Sequence, residues 1–189
     1  IEGGDVKKVL IAVIAILALV SCKEKSEFST DAPFGFEWGE SYNDIKSKNL
    51  KDFEYVGNDD GIVIAKTHEA PKEVTIVQAY YLYFETSVGL GLINARTREI
   101  SLSEDKSHDS IVNAYKAVME HVENSLNEPT RSKSQYDELI SDCINKNDCS
   151  PLDAEYKTKD ATIKISLAVS KTGNRSAWVS LNYYRNLAG

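Results

Sequence analysis

Two runs near the C-terminal end of the chain alternate in polarity at every step. Ile163, Ile165, Leu167 and Val169 form the first apolar set, and Ala177, Val179, Leu181 and Tyr183 form the second. A period of two puts each set on one face of a strand, which a helix of 3.6 residues per turn cannot do. Between the runs lies Ser170-Lys-Thr-Gly-Asn174, a turn sequence, so the pair is expected to form a β-hairpin. Strands joined by short turns pair antiparallel, and each apolar face needs a cover.

The cover is expected from two helices. Ile111, Val112, Tyr115, Val118, Met119, Val122 and Leu126 recur at helical spacing. That helix should start near Ser107 to Asp109 and stop at Asn127-Glu-Pro129. Tyr136, Leu139, Ile140 and Cys143 mark a shorter helix that opens near Ser134. Earlier in the chain, Pro33 to Gly39 reads as a short strand with alternating Phe34, Phe36 and Trp38. Ser41 and Asp44 form a capping box for a helix over about Tyr42 to Lys48. Phe53 to Val56 and Ile62 to Lys66 read as strands around the turn Gly57 to Gly61. Val74 to Glu85 and Val88 to Ile100 are β-rich runs that turn near Thr86-Ser87. Long βαβ alternation is absent. The expected fold is therefore α+β, an antiparallel twisted sheet with helices on one face. Helix followed by strands occurs twice, so the two halves also read as a divergent duplication.

The N-terminal segment reads differently. Lys7 and Lys8 precede twelve apolar residues, Val9 to Val20, without charge, Gly or Pro. A bilayer-spanning helix needs about 20 such residues, so this run suits the hydrophobic region of a signal peptide. A buried core helix is the alternative. Leu19-Val-Ser-Cys22 resembles the lipobox of bacterial lipoproteins. That resemblance implies cleavage after Ser21 and a covalent diacylglycerol on the Cys22 thiol, so that residues 1–21 are the signal peptide. No other cofactor is expected. Lys23 then leans toward the outer membrane of a Gram-negative envelope, facing the periplasm or the surface. Ile1 to Asp5 lack an initiator Met and look untranslated, with the true start at Val6. Cys22 to Ala32 is polar and is expected to be a flexible tether. Pro33 to Gly189 is left as a single folded domain.

Gly39-Glu-Ser-Tyr-Asn-Asp-Ile45 resembles the helix start of small lipoproteins and inhibitors with the beta-lactamase-inhibitor-like fold. Gly89-Leu-Gly-Leu-Ile-Asn-Ala95, Tyr115 to Pro129, Tyr136-Asp-Glu-Leu139 and Ser180-Leu-Asn-Tyr-Tyr184 resemble a pattern in small uncharacterised bacterial and prophage-borne proteins. That likeness agrees with an α+β fold and implies no activity.

With Cys22 assigned to lipid, Cys143 and Cys149 remain as an even pair, which in an oxidising compartment reads as a disulfide. A metal pair or free thiols are the alternatives. Zinc would want four ligands at tighter spacing, and no His lies between Thr130 and Ser150. His68, His108 and His121 form no i, i+4 pair and are expected to be exposed, His121 on the polar side of its helix. No catalytic residue and no metal ligand is therefore named. Asn58-Asp-Asp60 and Glu104-Asp105 read as solvated turns, not calcium loops. Gly89 and Gly91 lack the rest of a phosphate-loop fingerprint and read as a bulge or a close backbone contact.

The run Tyr80-Tyr-Leu-Tyr-Phe84 divides between two faces of a strand. Tyr80, Leu82 and Phe84 share one. Tyr81 and Tyr83 share the other, either a second buried face or a surface for a protein or glycan. The net charge of −7 disfavours nucleic acid. The expected function is a membrane-anchored, non-enzymatic binding module of the cell envelope, with an envelope hydrolase as the alternative.

Overall fold

The computed structural model describes residues 31–103, 106–126, 134–146, 149–170 and 175–186. The expected signal peptide, Cys22, residues 23–30 of the expected tether, Glu104-Asp105, the expected stop signal 127–129 and the turn residues 171–174 lie outside the described residues. From residue 31 the chain runs through a single 3₁₀ turn, Pro33–Gly35, into α1 (Tyr42–Ser47). Four strands follow: β1 (Glu54–Asp59), β2 (Ile62–Thr67), β3 (Ala79–Glu85) and β4 (Gly89–Arg96). After the short β5 (Ile100–Ser101) come α2 (Ser107–Leu126) and α3 (Ser134–Lys146). Another 3₁₀ turn, Ser150–Leu152, leads to β6 (Ala154–Lys157), β7 (Ala161–Val169) and β8 (Ser176–Arg185). The class is α+β. Every strand pair is antiparallel, in the order β1-β2-β3-β4-β8-β7-β6, with β5 beside β8.

The order is nearly symmetric about the β4–β8 seam. The last strand of the first half pairs with the last strand of the second, from Leu92↔Tyr184 to Arg96↔Ser180. Each half thus enters through helix and ends at the seam.

Sequence-level turn chemistry explains the hairpins. Asp59 pairs with Ile62, which leaves Asp60-Gly61 as a two-residue loop. Both have positive φ, 46° and 85°, as this tight hairpin turn requires. The turn is tighter than the five residues read from sequence, because β1 continues through Asp59. In β4 the register steps from Tyr83↔Leu92 to Phe84↔Leu90 and leaves Gly91 as a bulge. Gly89 has φ +75°, and a Cβ there would stand 2.3 Å from the Gly39 carbonyl oxygen. That close approach lets Gly39 N–H donate to Leu90 O and Leu90 N–H donate to Glu40 O, tying the entry of α1 to β4.

Two expected strands are shorter or missing. Pro33 to Gly39 is not a strand: Phe34 sits at φ 63° inside a 3₁₀ turn, and only a lone bridge joins Asp31 to Glu37. Its aromatics are nonetheless buried, and Phe34 meets Tyr80 and Tyr183 edge-on. Hydrophobic alternation reported burial there, not extended pairing. Likewise Val74 to Val77 is a turn closed by Val77 N–H to Val74 O, and β3 begins at Ala79.

The capping box on α1 forms as read, with Ser41 Oγ accepting from Asp44 N–H and Asp44 accepting from Ser41 N–H. All the apolar positions counted on α2 from Ile111 to Val122 are buried. They face Ala177, Val179, Leu181 and Tyr183 of β8, the Ile163 set of β7 and Tyr80, Leu82 and Phe84 of β3 in one cluster. Behind α2, α3 contributes Tyr136, Ile140 and Cys143. Cys143 and Cys149 are joined by a disulfide, Cα atoms 4.4 Å apart, which ties the end of α3 to the turn before β6.

Candidate functional site: the open face of the sheet

Every buried apolar side chain contributed by a strand points to the helix side. The alternate residues of the same strands form a second, open face. Registration lines them into rows. One row crosses seven strands: Glu54, Lys66, Tyr81, Asn94, Asn182, Lys164 and Glu155. The row is closed at each end by an ion pair, Lys66 to Glu54 at 3.6 Å and Lys164 to Glu155 at 3.2 Å. At the seam Asn94 Nδ2 donates to Asn182 Oδ1 at 2.7 Å. Lys164 and Lys157 hold the Glu155 carboxyl below its usual range, the Lys164 hydrogen bond being the larger cause.

Next to this row lie Tyr83, Leu92 and Tyr184, and on its other side Arg96 and Ser180. Arg96 organises the cluster. Its Nε donates to Asn94 Oδ1 at 2.6 Å. Its guanidinium stands over the Tyr81 ring at 4.0 Å and lies 5.6 Å from the Trp178 ring centre. Such cation–π contacts fix a planar guanidinium in one orientation. Burial raises the Tyr83 hydroxyl above its ordinary pKa, and Arg96 partly offsets that. At the far side Lys164 lies 5.7 Å from the centre of Tyr184, which is 38% exposed.

The surface has two shallow clefts. One, of about 280 Å³, includes Lys66, His68, Tyr81, Arg96, Glu99 and Trp178 in its lining. The other, of about 300 Å³, lies between Glu155, Lys164, Asn182 and Tyr184. Aromatic area, amide groups and fixed charges on a relatively flat sheet suit recognition of a partner.

The structure places Tyr81 and Tyr83 together on this open face, both half-buried. The pair Tyr183-Tyr184 splits: Tyr183 lies in the core, where burial pushes its hydroxyl up to about 12, and Tyr184 lies on the open face. Arg96, Trp178, Asn94 and Asn182 were not singled out from sequence. Counting the second face of the alternating runs would have named them, but only strand order brings β4 beside β8 and Arg96 beside Trp178.

The histidines correct the expectation in part. His68 is exposed, while His108 and His121 are half-buried. Burial lowers the His121 pKa, and the ring lines a cavity of about 380 Å³ between α2, the Pro33–Gly35 turn and β7. Its neighbour Glu123 is only 1% exposed and accepts a hydrogen bond from Tyr156 at 3.1 Å. The supposed polar side of α2 is covered because Tyr156 of β6 bonds Glu123 and residues 31–34 wall the cavity beside His121, elements whose placement no local periodicity reveals. Among the described residues no cluster of three or more His, Cys, Asp or Glu side chains is arranged to hold a metal ion, and no helix is long and apolar enough to cross a membrane. No protein-family model, curated protein or solved structure matches the chain.

Proposed function

We propose that this chain is a membrane-anchored envelope lipoprotein whose domain is a non-enzymatic binding module, with the open sheet face as its binding surface. One observation carries the reading. Tyr81, Tyr83, Trp178, Tyr184 and Arg96 gather on the sheet face that lies away from the apolar core. Aromatic and Arg side chains are the residues that carry most binding energy in protein interfaces. The sequence supplies the anchor: Cys22 would take the lipid, and two or more acyl chains hold a domain at a membrane stably. The net charge of −7 would not do so on an anionic surface.

The competing envelope hydrolase has one feature in its favour. His121 and Asp160 line the same cavity. No hydrogen bond joins them, however, and general acid–base chemistry needs the two groups within hydrogen-bond reach of each other or of a shared substrate atom.

A photo-crosslinking residue at Tyr184 in the full-length protein, activated in the cell envelope and read by mass spectrometry, tests the binding surface. The expected result is one dominant conjugate that is lost when the crosslinker moves to exposed Glu138 on α3. Recovery of no partner overturns the reading. The anchor is tested separately: a Cys22→Ser protein that still carries acyl chains and fractionates with membranes removes it.

A further inference from the structure

The cleft at the Arg96 end of the open face has the chemistry of a receptor for one carboxylate. Three observations meet there. First, Arg96 is held in place without being neutralised. Its Nε is used by Asn94, and Tyr81 and Trp178 flank its plane, yet among the described residues neither terminal nitrogen has a hydrogen bond or an ion pair. In a chain of net charge −7, an immobilised guanidinium with its fork free is an unmet charge. Second, donors dominate the rest of the lining. His68 and Lys66, the latter 3.6 Å from Glu54, face the same cleft, and the Trp178 Nε1–H is buried with no acceptor among the described residues. The carboxylate present, Glu99, is engaged by the Ser176 hydroxyl. Third, the space is small. About 280 Å³ lies just under the size of pockets that enclose a drug-sized molecule, so it takes one side chain.

These constraints choose among anions. A polyanion would meet the excess negative charge of the whole chain, and a dianion would meet Glu99. A planar monoanion matches the guanidinium fork with two parallel hydrogen bonds. A sugar acid would want a free aromatic face to stack on, but Arg96 occupies the Tyr81 face. We propose that this cleft docks a single Glu or Asp side chain of a partner protein, with Arg96 as the bidentate anchor and Lys66 as supporting charge. This deepens the binding-surface reading and rests on it.

Titration of the folded, isotope-labelled protein with a capped Ala-Glu-Ala peptide, followed by NMR, tests the proposal. The Arg96 Nε–H and Trp178 Nε1–H signals should shift and saturate, and a capped Ala-Gln-Ala peptide should move neither. Arg96→Lys keeps the charge but loses the fork, and should weaken binding roughly 10- to 100-fold. Arg96→Gln should abolish saturation, while Lys146→Gln, exposed on α3 and away from the open face, should change nothing. Thermal melts of each variant confirm that it is folded. Equal shifts with the Gln peptide, a stronger response to inorganic phosphate or to galacturonate, or full binding by folded Arg96→Gln would each overturn the proposal. If the Tyr184 crosslink captures a partner while the Glu peptide moves neither signal, the carboxylate assignment fails and the binding surface stands. If neither experiment responds, both fail.

Discussion

Strand β8 presents two chemistries from one backbone. Toward the helices it sends Ala177, Val179, Leu181 and Tyr183, all buried. Toward the open side it sends Trp178, Ser180, Asn182 and Tyr184. The inner set needs shape complementarity. The outer set is polar or amphipathic: Asn182 accepts from Asn94, and Tyr184 is exposed where water, or a partner, can reach it. The contrast teaches that an aromatic residue has no fixed role. Adjacent tyrosines 183 and 184 differ only in parity, yet one is core and the other surface.

This contrast predicts a ranking of effects. Leu181→Ala removes a side chain that is 1% exposed and should cost about 2–5 kcal/mol in denaturant unfolding. A small loss would mean that the helix layer is loosely packed against β8. Raising the pH probes the same face. The fold keeps the Tyr183 hydroxyl neutral to about 12, against an ordinary value of 10.0, so it binds a proton that the unfolded chain releases. Its contribution is complete below pH 10 and disappears as pH rises through about 12, on the order of 3 kcal/mol. Stability curves of the native protein and Tyr183→Phe should diverge over that interval; parallel curves would show that burial does not govern this residue.

The disulfide lies in the helix layer, on the core side of the sheet, and should contribute about 2 kcal/mol for its small loop. The Cys143→Ser/Cys149→Ser double variant should therefore keep the fold at a lower denaturation midpoint, with a distinct loss of protection in α3 by hydrogen exchange. On the open side, Tyr184→Ala should change stability by less than about 1 kcal/mol, as exposed substitutions do. A loss comparable to Leu181→Ala would make this face structural and erase the distinction. The smallest effect belongs to His121. Burial lowers its pKa, so the neutral ring is the form the fold favours. Stability from this group is complete above about pH 6.5 and declines as pH falls through the folded value. His121→Gln should flatten that decline in a pH series of melts.

Much of this arrangement was legible locally. The capping box of Ser41 and Asp44, the apolar stripe of α2 and the alternation of β7 and β8 each depend on residues a few positions apart, and each formed as read. The Cys143–Cys149 bond was legible for the same reason, since its partners are six residues apart. Tyr81 and Tyr83 could be paired from a period of two, but their environment could not. Whether that face is buried depends on what packs over it, and the helices chose the other side. The errors share one cause. Phe34, Phe36 and Trp38 alternate because they fill the end of the core, and Glu123 looks polar but is covered by Tyr156 from a distant strand.

The sequence by itself determined the three helices, the paired strands β7 and β8 with their amphipathic faces, and the short-range disulfide, because propensity, turn chemistry and periodicity act over a few residues. Tertiary structure alone decided the meeting of β4 with β8. That pairing brings Asn94 to Asn182, residues 88 positions apart, and sets Arg96 between Tyr81 and Trp178. The physical reason is register. Once the apolar set of each strand is committed to the helix layer, the opposite set must line up across the seam, and the open face takes its chemistry from that alignment.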